Sequence, residues 1–382
     1  MKVLQVLTLV SPDGAYGGPA RVALNQCAAL AAAGHQATLL AGARGYPVLP
    51  RQIDGTPVRL FPTRRVLPGV GYAATWSPAM IRWLKRNGSD FDVVHVHLAR
   101  DLVTFPAART ALRLGLPLVV QTHGMIVTGT HPFTAIIDEI WTKGLLESAH
   151  TVFHLNDAER AELSMIGGPR MRLEPLVNGV PVSAEVEPDR RIRPPEVLFL
   201  ARLHKRKRPE VFAAAALELL RAGVDAQFAL VGPPEGAETA VDLIIAEARA
   251  EGFDESHLRR ESGVSPEHVG DRLRVASVYV LPAVHEPFGM SIIEALAESV
   301  PVVVNADGGL AGFVERCGCG VVVAGTSHDY AVAIARLLAD PAKARAQGEA
   351  GRAAVHATFV MESICQRLED VYSSITLRRT AI

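Results

Sequence analysis

The chain has 382 residues, 49% of them apolar and 21% charged, and its 39 Lys and Arg nearly balance its 40 Asp and Glu. One domain usually takes ~100–200 residues, so two domains are expected, each large enough to bury a sizeable core. The even charge balance excludes a general electrostatic attraction to nucleic acid, and no run of ~18 unbroken apolar residues offers a transmembrane helix.

The first element is a buried strand over residues 2–10. Met1-Lys2 leads straight into Val3-Leu4-Gln5-Val6-Leu7, and Ser11-Pro12-Asp13-Gly14 ends the run without a small-residue cleavage site, so the segment reads as a strand and not as a signal peptide. A helix over 19–33 has Pro19 in its first turn and Gly34 at its end. Strands follow at 36–41 and 58–61, a helix at 78–86, a strand at 93–97, a helix at 102–114 and a strand at 118–122. A helix over 133–148, a strand at 151–155 and a helix over 157–165 complete the first half. Near-continuous Val and Leu runs alternating with helices predict a parallel sheet covered on both faces.

Residues 181–195 are rich in Pro, Arg and Glu and carry no apolar period, which marks a linker. The alternation then restarts. Strands are expected at 197–201, 227–231, 278–281, 302–305 and 321–324, with helices at 209–222, 237–250, 266–276 and 291–298 and further helices to about 374. The division is therefore an N-terminal domain 1–180, a linker 181–195, a C-terminal domain 196–358, and a helix 359–382 packing back toward the N-terminal domain. Both domains are Rossmann-like α/β folds, and open parallel sheets take ligands at the carboxyl ends of their strands. The sheets are expected to face each other across a cleft.

The four cysteines, Cys27, Cys317, Cys319 and Cys365, are too few and too irregular for a disulfide framework, so a reducing, cytoplasmic setting is expected. The Cys317-Gly-Cys319 pair lacks the second ligand pair of a metal site. Three loops carry more chemistry. The loop over 11–19 contains Gly14, Gly17 and Gly18 and opens a helix, where amides favour an anion; the spacing is not that of a nicotinamide fingerprint. Arg202-Leu203-His204-Lys205-Arg206-Lys207-Arg208 follows a strand and holds cations that can clamp a diphosphate, Arg as a bidentate fork and Lys as a point charge. By composition alone the same run also suits a solvated basic loop. The third segment, from His285 to Ala295, contains Glu286, Pro287, Phe288, Gly289, Met290 and Glu294. Amides at Phe288, Gly289 and Met290 would open a helix, and Glu294 on its first turns can accept two hydroxyl hydrogen bonds, as a ribose offers. Both acids also suit helix-start residues that complement the dipole.

Glu286 and Glu294, with Pro-Phe-Gly between them, resemble the signature of the family 4 glycosyltransferases, which have the GT-B fold. The resemblance extends along most of the chain. Phe199-Leu200-Ala201-Arg202-Leu203 through Lys207 is similar to the family's Gly-Arg-Leu…Lys donor motif, with Ala201 in place of Gly. Gly17-Gly18-Pro19-Ala20-Arg21 resembles its N-terminal Gly-Gly loop. Asp92-Val93-Val94-His95-Val96-His97, Thr122-His123-Gly124 and Asn178-Gly179-Val180 resemble further family segments. The resemblance implies that Arg202 and Lys207 bind the donor diphosphate, that Gly18 offers its amide to the phosphate, and that Glu294 holds the ribose. It implies that Glu286 and the amides of Phe288, Gly289 and Met290 hold the transferred sugar, with His123 beside it. His95 and His97 share a strand face but lack a third metal ligand, so structural or acceptor-facing roles are expected. Two departures stand out. Asn305-Ala306-Asp307-Gly308-Gly309-Leu310-Ala311-Gly312 replaces a common Gly-Gly-Ile-Pro-Glu, and Arg208 stands where Gly commonly follows the Lys.

The reading is then a transferase moving a hexose-type sugar from a nucleotide-diphosphate donor, UDP-sugar foremost, to an acceptor hydroxyl. The family resemblance implies retention of configuration and no metal or other cofactor. A nucleotide-sugar epimerase of the same fold, and a dead homologue that binds glycans, are the alternatives; neither needs the Arg202, Lys207, Glu286 and Glu294 set. A pyridoxal-dependent phosphorylase needs a much longer chain. The acceptor, a glycan, a lipid-linked sugar or a small aglycone, falls to loops 47–72 and 124–133. Arg64, Arg65, Trp76 and Trp83 leave a peripheral membrane contact open, although a solvated loop and an amphipathic helix explain them as well.

Overall fold

The structure is a computed structural model and describes residues 1–12, 17–66, 74–129, 132–181 and 194–380. Most of the sequence-predicted linker lies outside these residues, as do Gly14 and parts of both acceptor-loop candidates. The chain divides into two compact units, Met1–Pro181 with Met361–Ile382, and Val182–Val360.

In the first unit the chain runs β1 (Lys2–Val10), α1 (Gly17–Ala32), β2 (Gln36–Ala43), β3 (Gln52–Ile53), β4 (Thr56–Pro62), β5 (Arg64–Arg65), β6 (Thr75–Trp76) and α2 (Pro78–Asn87). It continues as β7 (Val93–His97), α3 (Thr104–Arg113), β8 (Leu118–Gln121), α4 (Pro132–Ile137), a π-helical turn Asp138–Thr142, α5 (Lys143–Ser148), β9 (Thr151–His154), α6 (Asp157–Ile166) and β10 (Leu173–Pro175). The sheet order is β10-β9-β8-β7-β1-β2-β4-β3, parallel except for β3 against β4. Alternate strand residues feed two cores, as period-two alternation requires. Val3, Leu39, Val93 and Val119 face one core; Leu4, Leu40, Val94 and Val120 face the other.

The second unit holds β11 (Glu196–Leu200), α7 (Pro209–Arg221), β12 (Gln227–Val231), α8 (Glu238–Ala250), β13 (Leu258–Glu261), α9 (Val269–Arg274) and β14 (Val278–Leu281). Then come α10 (Met290–Ala297), β15 (Val302–Asn305), α11 (Ala311–Cys317), β16 (Gly320–Val323), α12 (Ser327–Ala339) and α13 (Pro341–Thr358). Its sheet is wholly parallel in the order β13-β12-β11-β14-β15-β16. The last helix, α14 (Met361–Thr380), belongs to the first unit. Its Ile364, Leu368, Val371, Tyr372 and Ile375 join the core that also contains Cys27 and Leu30 of α1.

The helix expected over 133–148 is interrupted by the π turn. There Asp138 accepts from Thr142 Oγ1 at 2.7 Å and takes the Arg100 guanidinium at 2.8 and 2.7 Å. β13 and β10 were not expected from the sequence. Both are edge strands, so they need no continuous apolar run, and β13 carries Arg259, Arg260 and Glu261. Among the described residues no helix is long and apolar enough to cross a membrane.

Candidate active site

In the second unit the strand order reverses between β11 and β14, and the loops leaving these two strands flank the switch point at which such sheets take ligands. Those loops contain Arg202 to Arg208 and His285 to Gly289. They are stitched together: Val284 N–H donates to Arg206 O at 2.8 Å, and Arg206 Nη2 donates to His285 O at 2.5 Å. The Lys207 ammonium pairs with the Glu286 carboxylate, with 19% and 14% of their side chains exposed. The loop after β15 closes on the same group, since Gly309 N–H donates to Glu286 O at 2.8 Å and His285 N–H to Asp307 Oδ2 at 2.7 Å.

Arg202 is directed elsewhere, to Glu235 at 2.6 Å, with 40% and 38% of those side chains exposed. A pair so wet is worth at most ~1 kcal/mol, so the guanidinium can exchange Glu235 for another anion at little loss. The crowding of cations is felt by His204. Partial burial lowers its pKa first, and Arg202, Arg206 and Lys205 push the same way against Glu235. Close approach to β11 depends on Gly232 after β12, where a Cβ would sit 1.9 Å from Ala201 O. Arg208 caps α7 in the left-handed conformation, φ 52°, which accounts for Gly being common at that place.

The helix start at α10 is built as the sequence implied. Gly289 is its N-cap with φ 87°, a conformation other residues resist, and a Cβ there would meet Ile292 Cδ1 at 2.7 Å. Phe288 turns its ring into the core against Phe359 at 5.5 Å, edge to face, so it can offer a ligand only its backbone. Met290 and Glu294 are half-buried. Tyr279 ties strand, loop and helix, donating to Leu200 O at 3.2 Å with its Oη 2.6 Å from Ser291 Oγ.

In the first unit Gly17 and Gly18 open α1. Gly18 is exposed, and a Cβ on it would meet nothing within 4 Å, so no packing demands glycine there. His123 occupies a tight turn after β8. His123 and Gly124 both have positive φ, 52° and 70°, and Met125 N–H donates to Thr122 O at 2.8 Å, which is the pattern of a type I′ turn. The buried carboxylate of Glu159 on α6 clamps this turn. It accepts from Thr122 Oγ1 at 2.5 Å, from the Gly124 amide, and from Leu155 N–H at 2.6 Å.

The ring of His123 is itself buried and lies edge to edge with His97, centroids 4.9 Å apart and 9° from parallel; the His95 ring lies 5.0 Å from that of His97, 13° from parallel. His95 and His97 are fully buried, and His95 Nδ1 lies 2.7 Å from the Tyr372 hydroxyl of α14. Both side chains are therefore enclosed by the first unit's own residues. Burial holds all three imidazoles neutral: it lowers His95 and His123 to about 3 and His97 well below its usual range. Glu159, Gln5, Gln26 and Gln121, which complete this polar set, carried no sequence signal, because single amides on apolar strands match no motif. Among the described residues no group of three or more His, Cys, Asp or Glu is arranged to hold a metal ion.

A pair of Rossmann-like units with their chemistry-bearing loops after the central strands is the architecture of GT-B glycosyltransferases, and solved structures with this fold bear it out. Sucrose-phosphate synthase from Thermosynechococcus elongatus superposes with a TM-score of 0.76 over 99% of this chain and 100% of its own, at 20% identity. HepE from Anabaena, solved with UDP and glucose, gives 0.78 over 98% and 100%, at 18% identity. Residues 17–179 match the glycosyl transferase 4-like domain and residues 185–354 the glycosyl transferases group 1. D-inositol 3-phosphate glycosyltransferase 1 of Catenulispora acidiphila is 31% identical over 76% of this chain and 73% of its own. Alpha-D-kanosaminyltransferase of Streptomyces kanamyceticus is 26% identical over 88% and 89%. The chain belongs to the group 1, family 4 glycosyltransferases and is an enzyme of that class.

Proposed function

We propose that the protein transfers a hexose-type sugar from a nucleoside diphosphate, UDP foremost, to an acceptor hydroxyl with retention of configuration, in the cytoplasm and without a metal. The observation that carries this is the stitching of Lys207, Glu286 and the start of α10 at the switch point of the second unit. Breaking the sugar–phosphate bond puts negative charge on the leaving phosphate. Arg202, Lys207 and the helix-start amides supply positive charge where a metal would otherwise be needed, and preorganised charge of this kind is the largest catalytic contribution such a site can make. Glu294 is assigned to the ribose hydroxyls, Gly17 and Gly18 to the phosphate, and Glu286 and His123 to the sugar. With the acceptor attacking on the face the phosphate leaves, the C–O bond to phosphate breaks as the new C–O bond forms, and the departing phosphate oxygen takes the acceptor's proton.

The names of relatives support the donor half. HepE was solved with UDP-glucose, and another relative, from Mycolicibacterium smegmatis, is called a GDP-mannose-dependent mannosyltransferase. The acceptor belongs to the loops of the first unit, and inositol 3-phosphate in a relative's name points to a polyhydroxylated one. Isothermal titration with UDP, GDP, ADP and TDP tests the reading. One nucleotide should bind at micromolar Kd, and Glu294→Ala and Lys207→Ala should each weaken it at least ~10-fold, the loss of one charge-assisted hydrogen bond. A folded protein that binds none of the four overturns the proposal.

A further inference from the structure

We propose that Gln5 and His97 are positioning residues that fix His123 as the Nε2–H tautomer, so that its bare Nδ1 is the acceptor for one hydroxyl of the transferred sugar. This rests on the proposed function in one respect only, that His123 meets the sugar. The tautomer follows from a directed chain of hydrogen bonds. Gln121 Nε2 donates to Asn178 Oδ1 at 3.1 Å, Gln26 Nε2 to Gln121 Oε1 at 3.0 Å, and Gln5 Nε2 to Gln26 Oε1 at 3.1 Å. Gln5 thereby turns its carbonyl oxygen toward His97 Nε2, 2.5 Å away, and a carbonyl only accepts. His97 must carry its proton on Nε2.

A neutral imidazole has one N–H, so His97 Nδ1 is bare and takes its hydrogen bond from His123 Nε2, 2.6 Å away. His123 in turn is left with a bare Nδ1. That atom is buried and makes no hydrogen bond of good geometry among the described residues, although the Asn178 side chain, whose Oδ1 takes Gln121 Nε2, also interacts with the ring; the residue is held in a left-handed turn and only 8% exposed. Buried acceptors are rarely left so, and an orphan at the carboxyl end of a central strand is a place for a ligand's donor. A hydroxyl fits: it donates to Nδ1 and keeps its lone pairs for other groups. Gln5, Gln26, His97 and Gln121 are all fully or almost fully buried, so the chain is shielded from water that could reverse its direction.

The test begins with wild-type protein labelled with 15N-histidine, its resonances assigned by single-histidine replacement. Long-range proton–nitrogen spectra at pH 7.5 should show His97 and His123 neutral with the proton on Nε2. A proton on Nδ1 of His123 overturns the tautomer, whatever the donor titration gives. Adding the nucleotide-sugar that the enzyme turns over should move the His123 Nδ1 resonance, and its nucleoside diphosphate alone should not; equal response to both overturns the sugar contact. Gln5→Met removes the acceptor of His97. It should mix the His123 tautomers and lower kcat ~10-fold while the nucleoside diphosphate Kd stays within about two-fold. A parallel loss of nucleotide binding would mark Gln5 as merely structural, and should that variant not fold, the two wild-type spectra decide. A protein that binds no nucleoside diphosphate yet shows the tautomer refutes the proposed function and leaves the chain of hydrogen bonds intact.

Discussion

Glu159 spends one carboxylate oxygen on a turn that the backbone resists and the other on Leu155 N–H at the end of β9. A left-handed His123 costs about 1–2 kcal/mol, and the two hydrogen bonds that Thr122 and Gly124 give to this buried carboxylate offset that. Glu159→Ala should lower stability by ~3 kcal/mol in denaturant unfolding. Its turnover should fall even where the variant is fully folded, because the turn that aims His123 is released. Arg208 is the opposite case. It holds a left-handed conformation, and its side chain makes a long 3.5 Å contact to Gly325 O, so Arg208→Gly should leave stability unchanged or raise it by up to ~1 kcal/mol. Lys207, Glu286 and Glu294 could be picked out in the sequence because their spacing is itself a pattern. Glu159 could not, because an acid three residues after Asn156 also reads as an ordinary helix start; Glu159 N–H does donate to Asn156 Oδ1, at 2.9 Å.

At the scale of elements, the central strands and the apolar edge strand β16 were plain in the sequence, and the polar edges β10 and β13 were not. β1, β7, β12, β14 and β15 have the expected bounds because burial on both faces favours runs rich in Val and Leu. β13 and β10 lie at sheet edges, where Arg and Glu are tolerated, and α11 was hidden in a segment read as a glycine loop. The register of β11 and β12 explains one glycine that no motif marks. Gly232→Ala would drive a Cβ into the Ala201 carbonyl, and backbone on both sides leaves no flexible atom to give way. The expected cost is more than ~3 kcal/mol, with loss of nucleotide binding, since the displaced loop begins with Arg202. Calorimetry with and without nucleotide measures both effects.

On the scale of the whole molecule, the three buried histidines should make the first unit acid-sensitive. Their folded pKa values lie far below the ~6.5 of an unfolded histidine, so the unfolded chain binds more protons between the two limits. Stability is then greatest above pH ~6.5 and falls as pH drops toward the folded values, since each imidazole that the fold keeps neutral must go without the proton it would bind when unfolded. All three tryptophans, Trp76, Trp83 and Trp141, lie in the first unit, so their fluorescence reports it alone. The fluorescence-detected melting point should drop steeply from pH 6.5 to 5.5. A flat profile would mean that the imidazoles are not shut from water as the structure has them.

The return of α14 to the first unit bears on how the chain is made. Val3, Leu39 and Val93 look onto a face that α14 helps to cover, yet ribosomes deliver Met361–Thr380 only after all of Val182–Val360. At ~5–20 residues per second, that leaves the face waiting roughly 10–35 s. The second unit, whose strands arrive in one stretch, can settle during that interval. Nascent chains stalled before residue 361 should therefore lean on chaperones through the first unit, while release of the last helix completes a core begun by the first strand.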